Sequence, residues 1–150
     1  MQNDQTYSDI INSITTKDDI NLLADQLDLI GKSIYELNGN LDLSLKDSLP
    51  ANLYSLIAKL LQTEKKEDII KKMKELLAKI ELVDLTLSIK PTQKTLDALS
   101  SWFAKSIPQK TALDIKVDQR ILGGALIAYK GKYFDGSLKN VLESVIKNYV

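Results

Sequence analysis

Asp118 and Asp135 flank a Gly-rich stretch, and they are the carboxylates from which a general acid/base pair could be built. Nothing in their spacing lifts either above a turn or helix-capping role. The other tools of catalysis are missing. The chain has no Cys and no His, which excludes thiol catalysis, disulfides, Ser-His triads and every Cys/His metal site. No Asp-x-Asp-x-Asp-Gly run is present to build a carboxylate metal site. The expectation is therefore no catalytic residue, no cofactor and no metal.

The glycines between the two acids have a backbone reading. Gly123-Gly124 precedes an apolar run, where the absence of a Cβ lets the chain bend or approach a neighbour closely. A phosphate loop instead needs its glycines between a strand and a helix N-terminus. Asp135-Gly136-Ser137 does precede a helical pattern, so Asp135 or Ser137 can accept from the free N–H groups at its start. No Lys follows in the phosphate-loop pattern. Arg120 is the sole Arg among 20 basic residues, so recognition of phosphate by several guanidinium forks is excluded.

Net charge is zero but unevenly spread. Residues 1–62 hold nine acids and four Lys, a net of −5, and the remainder carries +5. The split marks either two opposed binding faces or ordinary solvated surface. A nucleic-acid partner would want a stronger basic excess with interleaved aromatics, so none is expected. No apolar run reaches the roughly 18 to 20 residues that span a bilayer, and the polar N-terminus does not read as a secretory signal or transit peptide. The default expectation is a soluble intracellular protein.

The first half reads as about four helices. Tyr7, Ile10, Ile11 and Ile14 line one face of a short first helix, and Thr16 with Asp19 has the spacing of a capping box. Ile20, Leu23, Leu27, Ile30, Ile34 and Leu37 then recur at intervals of three and four, an apolar stripe ending at Asn38-Gly39-Asn40. That stripe wants a partner helix, from this chain or from another. Residues 41–49 read as irregular or as a short turn. Pro50 opens a third helix through Leu53, Leu56, Ile57, Leu60 and Leu61, and a fourth carries Ile69, Ile70, Met73, Leu76, Leu77 and Ile80. Its lysines (Lys65, Lys66, Lys71, Lys72, Lys74) make a solvated face or a contact for anionic lipid or an acidic partner.

Near residue 82 the period changes from 3.6 to 2. Val83, Leu85, Leu87 and Ile89 alternate with polar residues, as in a half-buried strand. A helix follows from Pro91-Thr92 to Pro108, with Leu96, Leu99, Trp102, Phe103 and Ile107 inward. Leu113, Ile115 and Val117 alternate in a second strand. Gly124–Tyr129 and Lys132–Phe134 read as a hairpin turning near Lys130-Gly131. Ser137 caps a last helix bearing Leu138, Val141, Leu142, Val145, Ile146 and Tyr149. The expected class is α+β: a helical domain over 1–80, then a β-α-β-β-β-α domain over 81–150, a small sheet with helices on one face.

The order Val117-Asp118, Ile121-Leu122-Gly123-Gly124, an apolar strand, Gly131 in a hairpin, then Asp135-Gly136-Ser137-Leu138 resembles the C-terminal signature of F-type ATP synthase delta subunits. The mitochondrial counterpart of that family is the oligomycin sensitivity-conferring protein. The resemblance covers residues 83–150 and extends to the helix at 64–80. It implies a non-catalytic stator of the peripheral stalk, which resists rotor torque during proton-driven ATP synthesis. It also implies a place on the cytoplasmic face of a bacterial membrane, held there only through the complex. The implied partners are the N-terminus of the alpha subunit, gripped by a helical bundle, and the C-terminus of the b subunit, met by the C-terminal region. Leu23, Leu27, Ile30 and Ile34 are then the candidate head-binding residues, with Leu142, Val145 and Ile146 for the stalk. Gly123, Gly124, Asp135, Gly136 and Ser137 are structural signature positions. The family's bundle has six helices opened by a Tyr-Ala-x-Ala-Leu-like motif, which this chain lacks, so its N-terminal domain is shortened or divergent. The alternative is a free-standing helical adaptor without catalytic activity.

Overall fold

The structure is a computed structural model that describes residues 2–36 and 39–136. The chain divides into two compact units. One comprises the described parts of Met1–Ile14 and Asp18–Lys79, the other those of Thr15–Lys17 and Ile80–Val150. Helices precede a small mixed sheet, which is the α+β class.

The helical unit contains α1 (Gln2–Ser13), α2 (Lys17–Lys32), α3 (Leu41–Ser48), α4 (Ala51–Thr63) and α5 (Lys66–Leu77). Each is amphipathic, and the apolar stripes close on one another. Tyr7, Ile10, Ile14, Leu23, Leu27, Ile30, Leu45, Leu60, Ile69 and Met73 are all buried. Burying a large aliphatic side chain contributes about 1.5–3 kcal/mol, so this stripe-to-stripe packing dominates the unit. Tyr7 adds a polar tie. Its hydroxyl donates to Glu64 Oε2 at 2.7 Å, and Lys72 Nζ lies 4.3 Å from its ring centroid. Burial and the adjacent Glu64 raise the phenol's pKa.

Two helix boundaries differ from the sequence expectation, for local reasons. The stripe runs to Leu37, but α2 ends at Lys32. There the bonding tightens to three-residue turns, Ile34 N–H to Gly31 O and Tyr35 N–H to Lys32 O, with Ser33 Oγ also donating to the Ile30 carbonyl. Leu37 and Asn38 lie outside the described residues. The stretch read as irregular holds α3, so five helices precede the sheet among the described residues where about four were expected. Leu41, Leu43 and Leu45 mimic a two-residue period, yet only Leu45 of these is buried and Leu43 is exposed. Pro50 stands directly before α4, and its carbonyl takes the first helical bond, from Tyr54 N–H.

The second unit is a four-stranded sheet of order β2-β1-β3-β4. Its strands are β1 (Glu81–Leu87), β2 (Thr111–Val117), β3 (Ala125–Tyr129) and β4 (Lys132–Asp135), with α6 (Gln93–Ser106) between β1 and β2. β1 and β2 are parallel, as a helical crossover requires, and the other pairings are antiparallel. Val83, Leu85 and Leu113 pack with Phe103 of α6, and Leu96, Leu99, Ile115 and Ile127 close around them. Thr15–Lys17 covers the outer edge of β2: Leu113 N–H donates to Thr15 O, and Lys17 pairs with Asp114 at 2.9 Å. At the hairpin tip Lys130 and Gly131 both have positive φ, 47° and 75°, as a two-residue turn matched to strand twist demands.

Three side chains expected inside the second unit are outside: Ile89, Trp102, and Val117 at the end of β2. Ile89 is 74% exposed because β1 stops at Leu87, whose carbonyl makes its closing bond to Asp118 N–H. Trp102 is exposed because adjacent helix positions point about 100° apart. Phe103 takes the inward place, and Trp102 rests edge-on against it with centroids 4.9 Å apart.

Leu60→Ala should cost about 2–5 kcal/mol of stability in a denaturant melt, as a cavity in a packed core does. Leu43→Ala, on the exposed side of α3, should stay within about 0.5 kcal/mol of the parent.

Candidate functional site

The segment from Val117 to Gly136 is built around one end of the sheet. β2 and β3 lie on opposite sides of β1, with Val117 and Ala125 both in register with Leu87. The connection must therefore cross the end of β1 and reverse direction. Asp118 begins the crossing: its Oδ1 accepts from Arg120 N–H at 3.0 Å, and its two oxygens take Arg120 Nε and Nη2 at 2.9 and 2.8 Å. Ile121 plugs inward, while Leu122 is left exposed. Gly123 and Gly124 complete the reversal at φ 128° and 80°. Both values lie in the region that side-chain-bearing residues avoid.

Asp135 pairs in register with Leu126, and Gly136 follows with its N–H bonded to Ala125 O at 2.9 Å. A Cβ on Gly136 would lie 2.9 Å from Phe134 Cε1 and 3.3 Å from Ala125 O, so the Phe134 ring folds over a bare backbone. Of the signature positions, the structure thus brings Gly123, Gly124, Asp135 and Gly136 to the same end of β3 and β4. Ser137, Leu142, Val145 and Ile146 lie outside the described residues.

The Arg120 guanidinium holds the Asp118 carboxyl down at about 2. A carboxylate so stabilised is a poor proton acceptor near neutrality, and this site is a turn lock in its geometry. Among the described residues no group of His, Cys, Asp or Glu is placed to hold a metal ion, and no helix is long and apolar enough to cross a membrane.

The candidate head-binding stripe lies along α2 and the turn after it. Leu23, Leu27 and Ile30 are fully buried in the helical unit's own core, because the other helices supply the partner surface their periodicity asks for. A foreign helix meets none of them unless that unit opens. Ile34 is half-buried in the turn after α2, beside the fully exposed Tyr35.

Sequence reasoning passed over a feature that the crossing creates. Leu87, Ser88, Ile89, Lys90, Pro91, Thr92, Thr95 and Gly124 line an open groove of about 270 Å³ at the end of β1. The chain leaving β1 forms one wall and Gly124 the other. The signal available was Pro91, which has no N–H to give to a strand ladder and leads the chain into the cap of α6.

The architecture is a helical unit and a small mixed sheet whose strands are joined by a glycine-built crossing. Residues 36–148 match the ATP synthase delta (OSCP) subunit family, and the chain belongs to that family. It is similar to an ATP synthase subunit delta of Bradyrhizobium diazoefficiens, 32% identical over 81 residues. That match covers 52% of this chain and 44% of the relative, so it spans less than half of the relative's length.

Gly124→Val should lower stability by about 1–3 kcal/mol, since a β-branched residue is forced into positive φ. Gly136→Ala should cost less, because the exposed Phe134 ring can swing aside; paired thermal melts compare the two. Carboxyl NMR should find Asp118 titrating near pH 2, and Arg120→Ala should move it up toward about 4. Because the folded pKa is depressed, the contribution of this pair is complete above about pH 4. It is lost as the pH falls through about 2.

Proposed function

We propose that this chain is a stator connector of the peripheral stalk of an F-type ATP synthase. One part of it holds the catalytic head and the other holds the end of the b-type stalk, so rotor torque drives chemistry in the head instead of spinning it. The observation that carries this reading is the family match over residues 36–148, which includes the crossing and the sheet. A connector needs affinity and stiffness and no reaction of its own, so the protein is a non-catalytic subunit. It sits peripherally at the cytoplasmic face of a bacterial membrane and is retained by its neighbours.

The partners are the N-terminus of the alpha subunit and the C-terminus of the b subunit. The helical unit takes the alpha segment. Its buried stripe of Leu23, Leu27 and Ile30 serves as the rigid backing, and Ile34 with Tyr35 is the apolar surface at its end. The sheet unit, together with Leu142, Val145 and Ile146, takes the b segment. Helix-in-surface recognition of this kind reads apolar anchors at three- and four-residue spacing.

Calorimetric titration of the full chain with an alpha N-terminal peptide and with a b C-terminal segment tests the reading. Binding of the b segment at micromolar concentration or tighter is expected. If neither ligand binds at such concentrations, the stator reading is rejected.

A further inference from the structure

Of the sheet's two edge strands, β4 has four residues and β2 has seven. A long edge offers its backbone groups to any strand that can add to it. The even-numbered residues of β2 face β1: Glu81 N–H donates to Lys110 O, and Asp118 N–H to Leu87 O. Alternate residues of a strand bond to opposite sides, so Thr111, Leu113, Ile115 and Val117 turn their backbone groups outward.

The segment Thr15–Lys17 straps this edge at one point. Leu113 N–H donates to Thr15 O at 3.0 Å, Thr16 pairs in parallel with Leu113, and Lys17 Nζ binds Asp114 Oδ2 at 2.9 Å. Lys17 is the first residue of α2, where the helix dipole disfavours a cation and favours the Asp18 and Asp19 that follow. Asp114 compensates that placement, so the lysine serves the strap and not the helix. Residues 15–17 also precede the segment that matches the family, which begins at residue 36.

The outer part of β2 is complementary to itself. Lay a second β2 antiparallel with Ile115 opposite Ile115, and Leu113 faces Val117 while Asp114 faces Lys116, in both directions. The outward groups of Leu113, Ile115 and Val117 then fall at the bonding positions of the ladder. The pairing would cover Val117, which is 49% exposed, and would offer Lys116 a closer carboxylate than Asp84 at 3.8 Å. The strap competes for two of the groups this pairing needs, the Leu113 N–H and the Asp114 carboxylate.

We infer that Thr15–Lys17 is a latch that closes the β2 edge against a second copy of the chain, which adds antiparallel through residues 113–117 once the Lys17–Asp114 pair is broken. Asp114 has a partner in each state: Lys17 of its own chain with the latch shut, and Lys116 of the second copy with it open.

Amide exchange at low micromolar concentration and sedimentation at higher concentration test this on the full chain. The parent should protect Leu113 N–H and stay monomeric. Lys17→Glu sets an acid against Asp114 while suiting the start of α2, and Lys17→Ala removes the pair without repulsion. Each should speed Leu113 exchange about tenfold or more, leave the Val83 and Leu85 amides of β1 unchanged, and form dimers. Adding Asp114→Lys to Lys17→Glu should restore the protection of Leu113. Adding Lys116→Glu instead should abolish the dimer without restoring that protection. Raised salt should speed Leu113 exchange in the parent and not in Lys17→Ala. Unchanged Leu113 exchange in both Lys17 variants overturns the latch. Faster exchange in a chain still monomeric at about 1 mM overturns the second copy as occupant. A dimer that survives Lys116→Glu, or a parent that dimerises with Leu113 still protected, places the pairing elsewhere and overturns the inference as well.

Discussion

The second unit depends on a single constraint, the reversal of the chain across the end of β1. β2 runs parallel to β1 on one side, and β3 runs antiparallel to it on the other. Residues 118–124 must span two strand spacings, roughly 10 Å, and turn the backbone around within that reach. Asp118 locks the first bend through Arg120, and Gly123-Gly124 makes the last by adopting two successive positive φ values. With the reversal made, Ala125 falls opposite Leu87, β3 zips onto β1, and β4 follows through a tight hairpin. Any side chain at the glycine pair strains the step on which these pairings depend.

Stiffness arises from packing in each unit, with little from charge. Ion pairs such as Lys74–Asp28 and Lys116–Asp84 join mostly exposed groups, where solvent screening leaves them little net worth. The aliphatic stripes of α1, α2, α4 and α5, and the cluster of Val83, Leu85, Leu113 and Phe103, are close-packed and transmit strain without yielding.

Much of the architecture was legible because periodicity reports burial directly. The alternation of Val83, Leu85 and Leu87 against polar neighbours specified a strand, and the three-and-four spacing of Leu23, Leu27 and Ile30 specified a helix. Boundaries were less legible. The apolar stripe of α2 runs on past Lys32, where the backbone has already tightened to three-residue turns, and α3 was hidden by leucines spaced as in a strand. Periodicity also cannot say who supplies the covering surface. The same α2 stripe would suit a foreign helix, and only the packing assigned Leu23, Leu27 and Ile30 to the chain's own interior.

By itself, then, the sequence determined the class of fold, the hairpin turn at Lys130-Gly131 and the absence of thiol and imidazole chemistry. Each of these follows from residue type and local spacing. The signature from Val117 to Gly136 was visible as an order of residues whose meaning depended on contacts distant in the chain. The tertiary structure alone decided that Gly124 faces Ile89 and Pro91 across a groove whose lining includes Lys90. Those residues come from separate segments, and they meet only because the crossing carries β3 to the far side of β1.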